Sequence, residues 1–308
     1  MSVTIGVLTY NSESMLPDLL DSLPAGLAGV SDWRLVIADS GSADRTIEVA
    51  ERLAPDATLV KLGGNRGFAA GVNAVAAAEP LADAVLILSP TVRLGPGCVR
   101  CLLDSLHETD AGIVVPRLSG GQGESRTSLR RRPTLARAWT EALVGGQRAQ
   151  RIGALSEVIA DPESYRADTR ADWATGAVTL VSRACLTKVG PWDESFFLYS
   201  EETDFELRAA DHGFRLVFSP RATAIHLGGV SRARPELWAL TCANKVRLYG
   251  MRHRRLPAWA FWTAVLAGEM LRCAVSRPQG RRAAIGKLLR ERHALVRGEP
   301  ARHPYEPI

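Results

Sequence analysis

Short apolar runs recur along the first 116 residues with longer amphipathic stretches between them. Residues 3–8, 34–38, 57–61, 84–88 and 112–116 are nearly unbroken runs rich in Val, Ile and Leu. Runs of that length read as buried strands, and helical patterns near 13–23, 43–53, 68–79 and 96–107 fill the gaps. This alternation predicts βαβ units, hence an α/β fold with a mostly parallel sheet. Right-handed crossovers then bring the carboxyl ends of the strands to one edge, where open α/β sheets bind ligands.

That edge collects polar and glycine-rich residues from four strands. The first ends in Thr9-Tyr10-Asn11 and the second in Asp39-Ser40-Gly41-Ser42-Ala43-Asp44. The third leads into Gly63-Gly64-Asn65-Arg66-Gly67-Phe68, and the fourth ends in Ser89-Pro90-Thr91. Any one of these is explained by turns and helix caps. All four on the ligand edge point to a nucleotide pocket.

The middle of the chain carries denser chemistry. Residues 125–139 form a basic loop entering a helix, and Arg130, Arg131 and Arg132 suit either phosphate or acceptor-sugar contact or plain solvation. Residues 171–183 read as a strand. Residues 190–213 read as a turn, an aromatic segment and an amphipathic helix whose start is crowded by Glu201, Glu202, Asp204 and Glu206. The helix dipole favours carboxylates there, so capping is one explanation. Carboxylates this close also repel, which raises the pKa of at least one and suits a general base or a metal ligand. Residues 214–226 read as two short strands separated by Ser219-Pro220 and ending at His226.

After residue 230 the pattern turns helical. The uncharged stretch 256–268 is too short for a bilayer, which needs about 20 residues. Trp259, Phe261 and Trp262 beside Arg252, Arg254 and Arg255 suit an interfacial helix on anionic lipid, or equally a helix packed on the rest of the protein.

Charge sharpens this division. The 308 residues carry a net charge of +5, of which residues 1–120 contribute −6, residues 121–229 none and residues 230–308 +11. A basic tail on an acidic-to-neutral body suggests an anionic surface for that tail and argues against a nucleic-acid coat. The 46% hydrophobic and 23% charged composition excludes a disordered chain. The five cysteines are too scattered for a disulfide framework, and Cys98 and Cys101 read as two positions on one helix. Reduced thiols and an N-terminus without a basic leader lead to the expectation of a cytoplasmic protein.

An ordered series of segments resembles glycosyltransferase family 2 with the GT-A fold. It comprises TYN at 9–11, DSGSADRT at 39–46, NRGFAAGVN at 65–73, SPT at 89–91, WATGA at 173–177, GPWDESFFLYSEETDFELR at 190–208 and PRATAIHLGG at 220–229. The resemblance covers some four-fifths of the chain, and SLRRRPT at 128–134 is similar to a rhamnosyltransferase-like branch. It implies a GT-A catalytic domain over 1–230, with a nucleotide-binding part at 1–116 and an acceptor and catalytic part at 117–230. A basic helical extension would occupy 231–308, where Asn244 and Arg247 match a helix common in the family.

The resemblance also implies roles. Thr9, Tyr10, Asn11, Asp39, Ser40, Asn65, Gly67, Ser89 and Thr91 would border the nucleotide-sugar, with Asp39 accepting from the imide N–H of uracil or thymine. Trp173, Gly176 and Arg130 would shape the sugar and acceptor pocket. Glu202 would be the catalytic base, with Glu201 and Asp204 beside it, and His226 with Glu201 would ligate metal. The implied reaction is inverting transfer of L-rhamnose or another deoxyhexose from a dTDP- or UDP-sugar. The acceptor would be a hydroxyl on a glycan, a lipid-linked sugar or a natural product, with the protein at the inner face of the cell membrane.

Two departures bear on this. Ser89-Pro90-Thr91 stands where the family usually has an Asp-containing metal motif, and a Thr hydroxyl is a poor ligand for Mg²⁺ or Mn²⁺. Glu202 stands where the base is usually Asp. Three readings follow: a metal-dependent enzyme using Glu201 or His226, an enzyme with Arg in place of the metal, or a catalytically impaired nucleotide-sugar-binding or partner-binding module.

Overall fold

The computed structural model describes residues 1–228, 234–276 and 279–303. The first apolar run forms β1 (Val3–Thr9), and all seven of its residues are buried, as expected of a central strand covered on both faces. Three more runs form β2 (Trp33–Asp39), β3 (Thr58–Lys61) and β4 (Ala84–Leu88). They alternate with α1 (Leu16–Gly26), α2 (Thr46–Leu53) and α3 (Gly67–Ala78). Then come β5 (Val92–Leu94), α4 (Cys98–Thr109) and β6 (Ile113–Ser119).

The middle segment holds β7 (Leu129–Arg130), α5 (Leu135–Val144), α6 (Gly146–Ala149), β8 (Thr169–Ala171) and β9 (Trp173–Ala174). It continues through β10 (Val178–Ser182), α7 (Arg183–Val189), α8 (Glu201–Asp211) and β11 (Leu216–His226). The chain ends in α9 (Pro235–Arg252), α10 (Arg255–Ser276), α11 (Gln279–Arg290) and α12 (Arg292–Arg297).

The main sheet runs β3-β2-β1-β4-β10-β6-β11-β5, with β8 also paired to β11. Its first four strands are parallel, as the spacing predicts. β10 is antiparallel to both β4 and β6, and β11 is antiparallel to β5 and β8, so the sheet is mixed rather than mostly parallel. Within residues 214–226 there is a single strand, Leu216–His226, not two. The ladder with β6 breaks register between Ser219 and Thr223, where Pro220 has no N–H to donate, and then resumes. β7 and β9 form a separate two-stranded ribbon that sets Arg130 opposite Trp173.

Apolar layers cover both faces of the sheet, one under α1, α2 and α4, the other under α3, α7 and α8. A third apolar cluster joins α9–α12 to Ala138 of α5 and to Phe197. Phe261 is fully buried there and stacks on Tyr249, while the Trp262 indole N–H donates to the Leu288 carbonyl. Trp259 packs edge-on against Trp262 and His293. These aromatics therefore pack on protein, the second of the two arrangements their sequence allows. Among the described residues, no helix is long and apolar enough to cross a membrane.

Much of the tail's positive charge is also spent internally. Lys245 pairs with Glu141 and Glu157, Arg272 and Arg281 with Glu269, and Arg252 with Asp211. Cys98 lies buried on α4, where desolvation pushes its thiol up to about 12, in keeping with a packing role.

Gly67 ties the sheet edge to the segment before α8. Its φ is +83°, and a Cβ there would lie 2.1 Å from the Phe197 carbonyl oxygen, which also accepts from the Phe68 N–H at 2.9 Å. Gly67→Ala is therefore expected to lose about 3 kcal/mol or more of unfolding free energy in urea titrations. An unchanged midpoint would mean that this approach is not tight.

Candidate active site

The donor side is built at the carboxyl ends of β1 and β2. Asp39 is 1% exposed and accepts three hydrogen bonds. They come from Thr9 Oγ1 at 2.9 Å, Ser42 Oγ at 2.6 Å and the Ser42 N–H at 2.9 Å. A carboxylate offers about four lone-pair sites, so one acceptor position remains, on Oδ2. Asn11, with φ +48°, donates its N–H to Ser42 Oγ and accepts from the Ala43 N–H. The Ser40 N–H bonds the Thr9 carbonyl, and Tyr10 is exposed at the strand end. Asn65 accepts from the Gly67 N–H at 3.2 Å, capping the turn into α3. Gly67 itself is required by the Phe197 backbone, which is a different reason from the ligand approach expected of it.

The acidic segment follows a left-handed stretch in which Phe197, Tyr199 and Ser200 have φ of 61°, 69° and 75°. Non-glycine residues in that region cost about 1–3 kcal/mol each unless the surroundings hold them. Asn244 of α9 supplies the hold. Its buried amide nitrogen donates to the carbonyls of Phe196, Leu198 and Tyr199 at 2.9, 2.9 and 3.0 Å. Arg247, one turn on, lies 4.1 Å over the Phe196 ring and donates to Ser195 Oγ at 2.5 Å. Asn73 of α3 grips the same segment from the sheet side through Trp192 and Glu194.

The four acids of α8 then part ways. Asp204 is buried and paired with Arg208 at 2.7 Å, and the Arg208 guanidinium also caps the carbonyls of Val189 and Pro191. This corrects its placement among the catalytic acids: it braces the helix. Glu206 accepts from the Ala174 N–H at 2.7 Å, and its other oxygen has no partner. Glu201 is buried with Oε2 unpartnered; desolvation and then Glu202 push its carboxyl well above the usual range. Glu202 is half-buried with Oε2 also unpartnered. Burial raises it, while the nearby Arg130 guanidinium favours its charged form.

Of the four, only Glu202 lines the cavity of about 310 Å³ beside α8. Its companions in the wall are Trp173, Thr175 and Arg130, whose guanidinium lies 5.8 Å from the Trp173 ring centroid. Gly176 approaches from below, where a Cβ would meet the Glu202 Cβ at 3.3 Å. The far wall comes from α5, α9 and α10, including Glu141, Trp238, Lys245 and Arg272, none of which has a motif that flags it in sequence. The chain beyond residue 230 thus completes this cavity.

The residues expected to hold a metal do not fit one. Ser89 Oγ and Thr91 Oγ1 are neutral and bonded to each other at 2.8 Å. His226 lies beside them, since the Leu227 N–H donates to the Thr91 carbonyl; burial and the positive charge of Arg126 favour its neutral imidazole, the form that can ligate a metal, but the neighbouring Ser89 and Thr91 bring no carboxylate to join it. Glu201 belongs to the α8 cluster and favours its protonated form. Among the described residues, no three His, Cys, Asp or Glu side chains gather as a metal site.

Comparison with known proteins agrees with this architecture. A profile described as glycosyl transferase family 2 matches residues 4–161, and one described as glycosyl transferase family group 2 matches residues 84–277. The chain is 28% identical over 307 residues to N-acetylglucosaminyl-diphospho-decaprenol L-rhamnosyltransferase of Mycobacterium tuberculosis, covering 93% of this chain and 97% of that protein. It is 24% identical over 237 residues to low-salt glycan biosynthesis hexosyltransferase Agl10 of Haloferax volcanii, covering 76% and 70%. Among solved structures, the mannosyltransferase PcManGT of Pyrobaculum calidifontis, in complex with GDP-Man and Mn²⁺, superposes with a TM-score of 0.56 at 16% identity, covering 95% and 80%. With both profiles spanning more than half its length and a GT-A sheet, the chain belongs to glycosyltransferase family 2 and is a glycosyltransferase.

Proposed function

We propose that the protein transfers a deoxyhexose, L-rhamnose in the first instance, from a dTDP- or UDP-sugar to a hydroxyl of a lipid-linked sugar, with inversion. The observation that carries this reading is Glu202: a half-buried carboxylate with one oxygen unpartnered, in the wall of a cavity shaped by Trp173 and Arg130. The near full-length similarity to a rhamnosyltransferase named for a diphospho-decaprenol acceptor supports the choice of sugar and acceptor.

Inverting transfer is a single in-line displacement. The acceptor oxygen bonds to the anomeric carbon as the bond to the nucleoside diphosphate breaks, and the acceptor proton goes to a base. Glu202 takes that proton. Its raised pKa suits a base working near neutral pH, and Arg130 favours the anionic form the step requires. Asp39, with one oxygen position left over, accepts from the imide N–H of the nucleobase. Glu202→Gln is expected to lower kcat by about 10²- to 10⁴-fold while UDP or dTDP affinity, read by titration calorimetry, is preserved. Full transfer activity in that variant would remove Glu202 as base. Nucleotide binding by the wild type without turnover on any acceptor would favour a binding module.

The departing diphosphate needs positive charge. Arg126 lies near His226 at the end of β11, where its charge adds to burial in lowering the imidazole's pKa. Its Nε is buried without a partner, and its ion pair to Glu124 is long, at 3.5 Å. We assign to it the charge that stabilises the leaving group. Turnover in EDTA is then expected to match turnover in Mn²⁺, and Arg126→Gln to lower kcat by about 10²-fold. Activity abolished by EDTA and restored by Mn²⁺ would overturn the assignment.

A further inference from the structure

The tail exposes Leu256, at 83%, at the start of α10, and a further set of apolar residues at its far end. At the carboxyl end of α10, Met270, Leu271 and Val275 are 54, 50 and 89% exposed. Leu271 and Val275, four positions apart, share one side of α10, while Met270 lies about 100° round from Leu271. The end of α5 abuts the same part of α10. Arg272 donates to the Glu141 carbonyl at 3.1 Å, and a Cβ on Gly268 would lie 3.1 Å from the Ala142 Cα. The next residues of α5, Leu143 and Val144, are 68 and 37% exposed. Two helix ends thus bring large apolar side chains together on one outer face.

The charge near this face is mostly positive, with the flanking Glu141 and Glu157 paired to Lys245. Residues 142–156 contain no acid, and Arg148 and Arg151 there are exposed. Residues 262–282 contain one acid, Glu269, which is buried under Arg272 and Arg281, while Arg282 is exposed. The face also adjoins the cavity. Its wall runs from Glu202 and Trp173 to Ala142 and Arg272, the sequence neighbours of Leu143 and Leu271.

We propose that this face, formed by Leu143, Val144, Leu271 and Val275, with Arg148, Arg151 and Arg282 exposed on the adjoining segments, docks on an anionic lipid bilayer and sets the outer end of the cavity against it. A free monomer has no use for that much exposed hydrocarbon at two abutting helix ends. Apolar insertion with a cationic surround is the combination that binds anionic membrane surfaces. An uncharged protein surface would not require the positive residues beside it. The docking proposal rests on the lipid-linked acceptor reading for its purpose, because an acceptor held in a bilayer must reach Glu202 from the membrane side.

The test is co-sedimentation of the full chain with vesicles of phosphatidylcholine containing phosphatidylglycerol, without donor or acceptor. The wild type is expected to bind, and less so as salt is raised. The triple variant Leu143→Gln, Leu271→Gln and Val275→Gln is expected to bind about ten-fold or more weakly, with an unchanged melting temperature. Leu81→Gln, a substitution at a 93% exposed leucine far along the chain from this face, is expected to bind as the wild type does. No vesicle binding by the wild type at low salt, or equal binding by the triple variant, would overturn the docking surface. The acceptor reading fails separately, if detergent-solubilised polyprenyl-diphosphate sugar accepts no hexose from any donor while vesicle binding is retained.

Discussion

One amide group holds the catalytic end of this molecule in place. The segment from Phe197 to Ser200 takes left-handed backbone conformations at three non-glycine residues just before α8 begins. Those conformations are costly, and they fix where the first turn of α8 points. The Asn244 side chain meets the cost by donating to three carbonyls of the segment, and Gly67 closes on the Phe197 carbonyl from the sheet side. Glu202 is therefore placed jointly by the nucleotide-binding sheet edge and by a helix from the last quarter of the chain. That helix also lines the cavity into which Glu202 opens.

Electrostatics divide the acids of α8 by environment rather than by sequence position. Asp204 has a cation at 2.7 Å and Glu206 a backbone N–H at 2.7 Å, so each has a structural partner. Glu201 is buried without a charge partner and is pushed toward its neutral form, which limits repulsion on its neighbour. Glu202 alone combines a cavity, a free oxygen and a nearby guanidinium. The same logic absorbs much of the basic tail. Lys245, Arg252, Arg272 and Arg281 close ion pairs within the fold, while Arg254, Arg255, Arg282 and Arg290 are among the tail arginines left exposed.

The sheet and its polar edge are legible in the sequence because each depends on local signals. Buried strands need continuous apolar runs, and the loops after them need turn residues. The clustering at Thr9, Asp39 and Asn65 follows from topology alone. What local signals do not carry is direction and partnership. Nothing in residues 178–182 marks β10 as antiparallel, because a strand buried on both faces reads the same either way. The break at Ser219-Pro220 is a bulge rather than a strand end because β6 continues alongside it. Trp259, Phe261 and Trp262 have the composition of a membrane-facing helix, yet α9, α11 and α12 cover them. Asn244 matches a family pattern, but its grip on the segment before α8 spans 45 to 48 residues and is visible only in three dimensions.

The account turns on Asn244 acting through position rather than through contact with either substrate. Asn244→Leu keeps the side chain's approximate size while removing its donors, and the decisive measurement compares donor affinity with kcat in that variant. UDP or dTDP affinity should stay near the wild-type value, because the β1–β2 edge is untouched, while kcat falls by about 10²-fold as Glu202 loses its fixed geometry. A fully folded variant with unaltered kcat would contradict the claim that this amide sets the catalytic end of the enzyme.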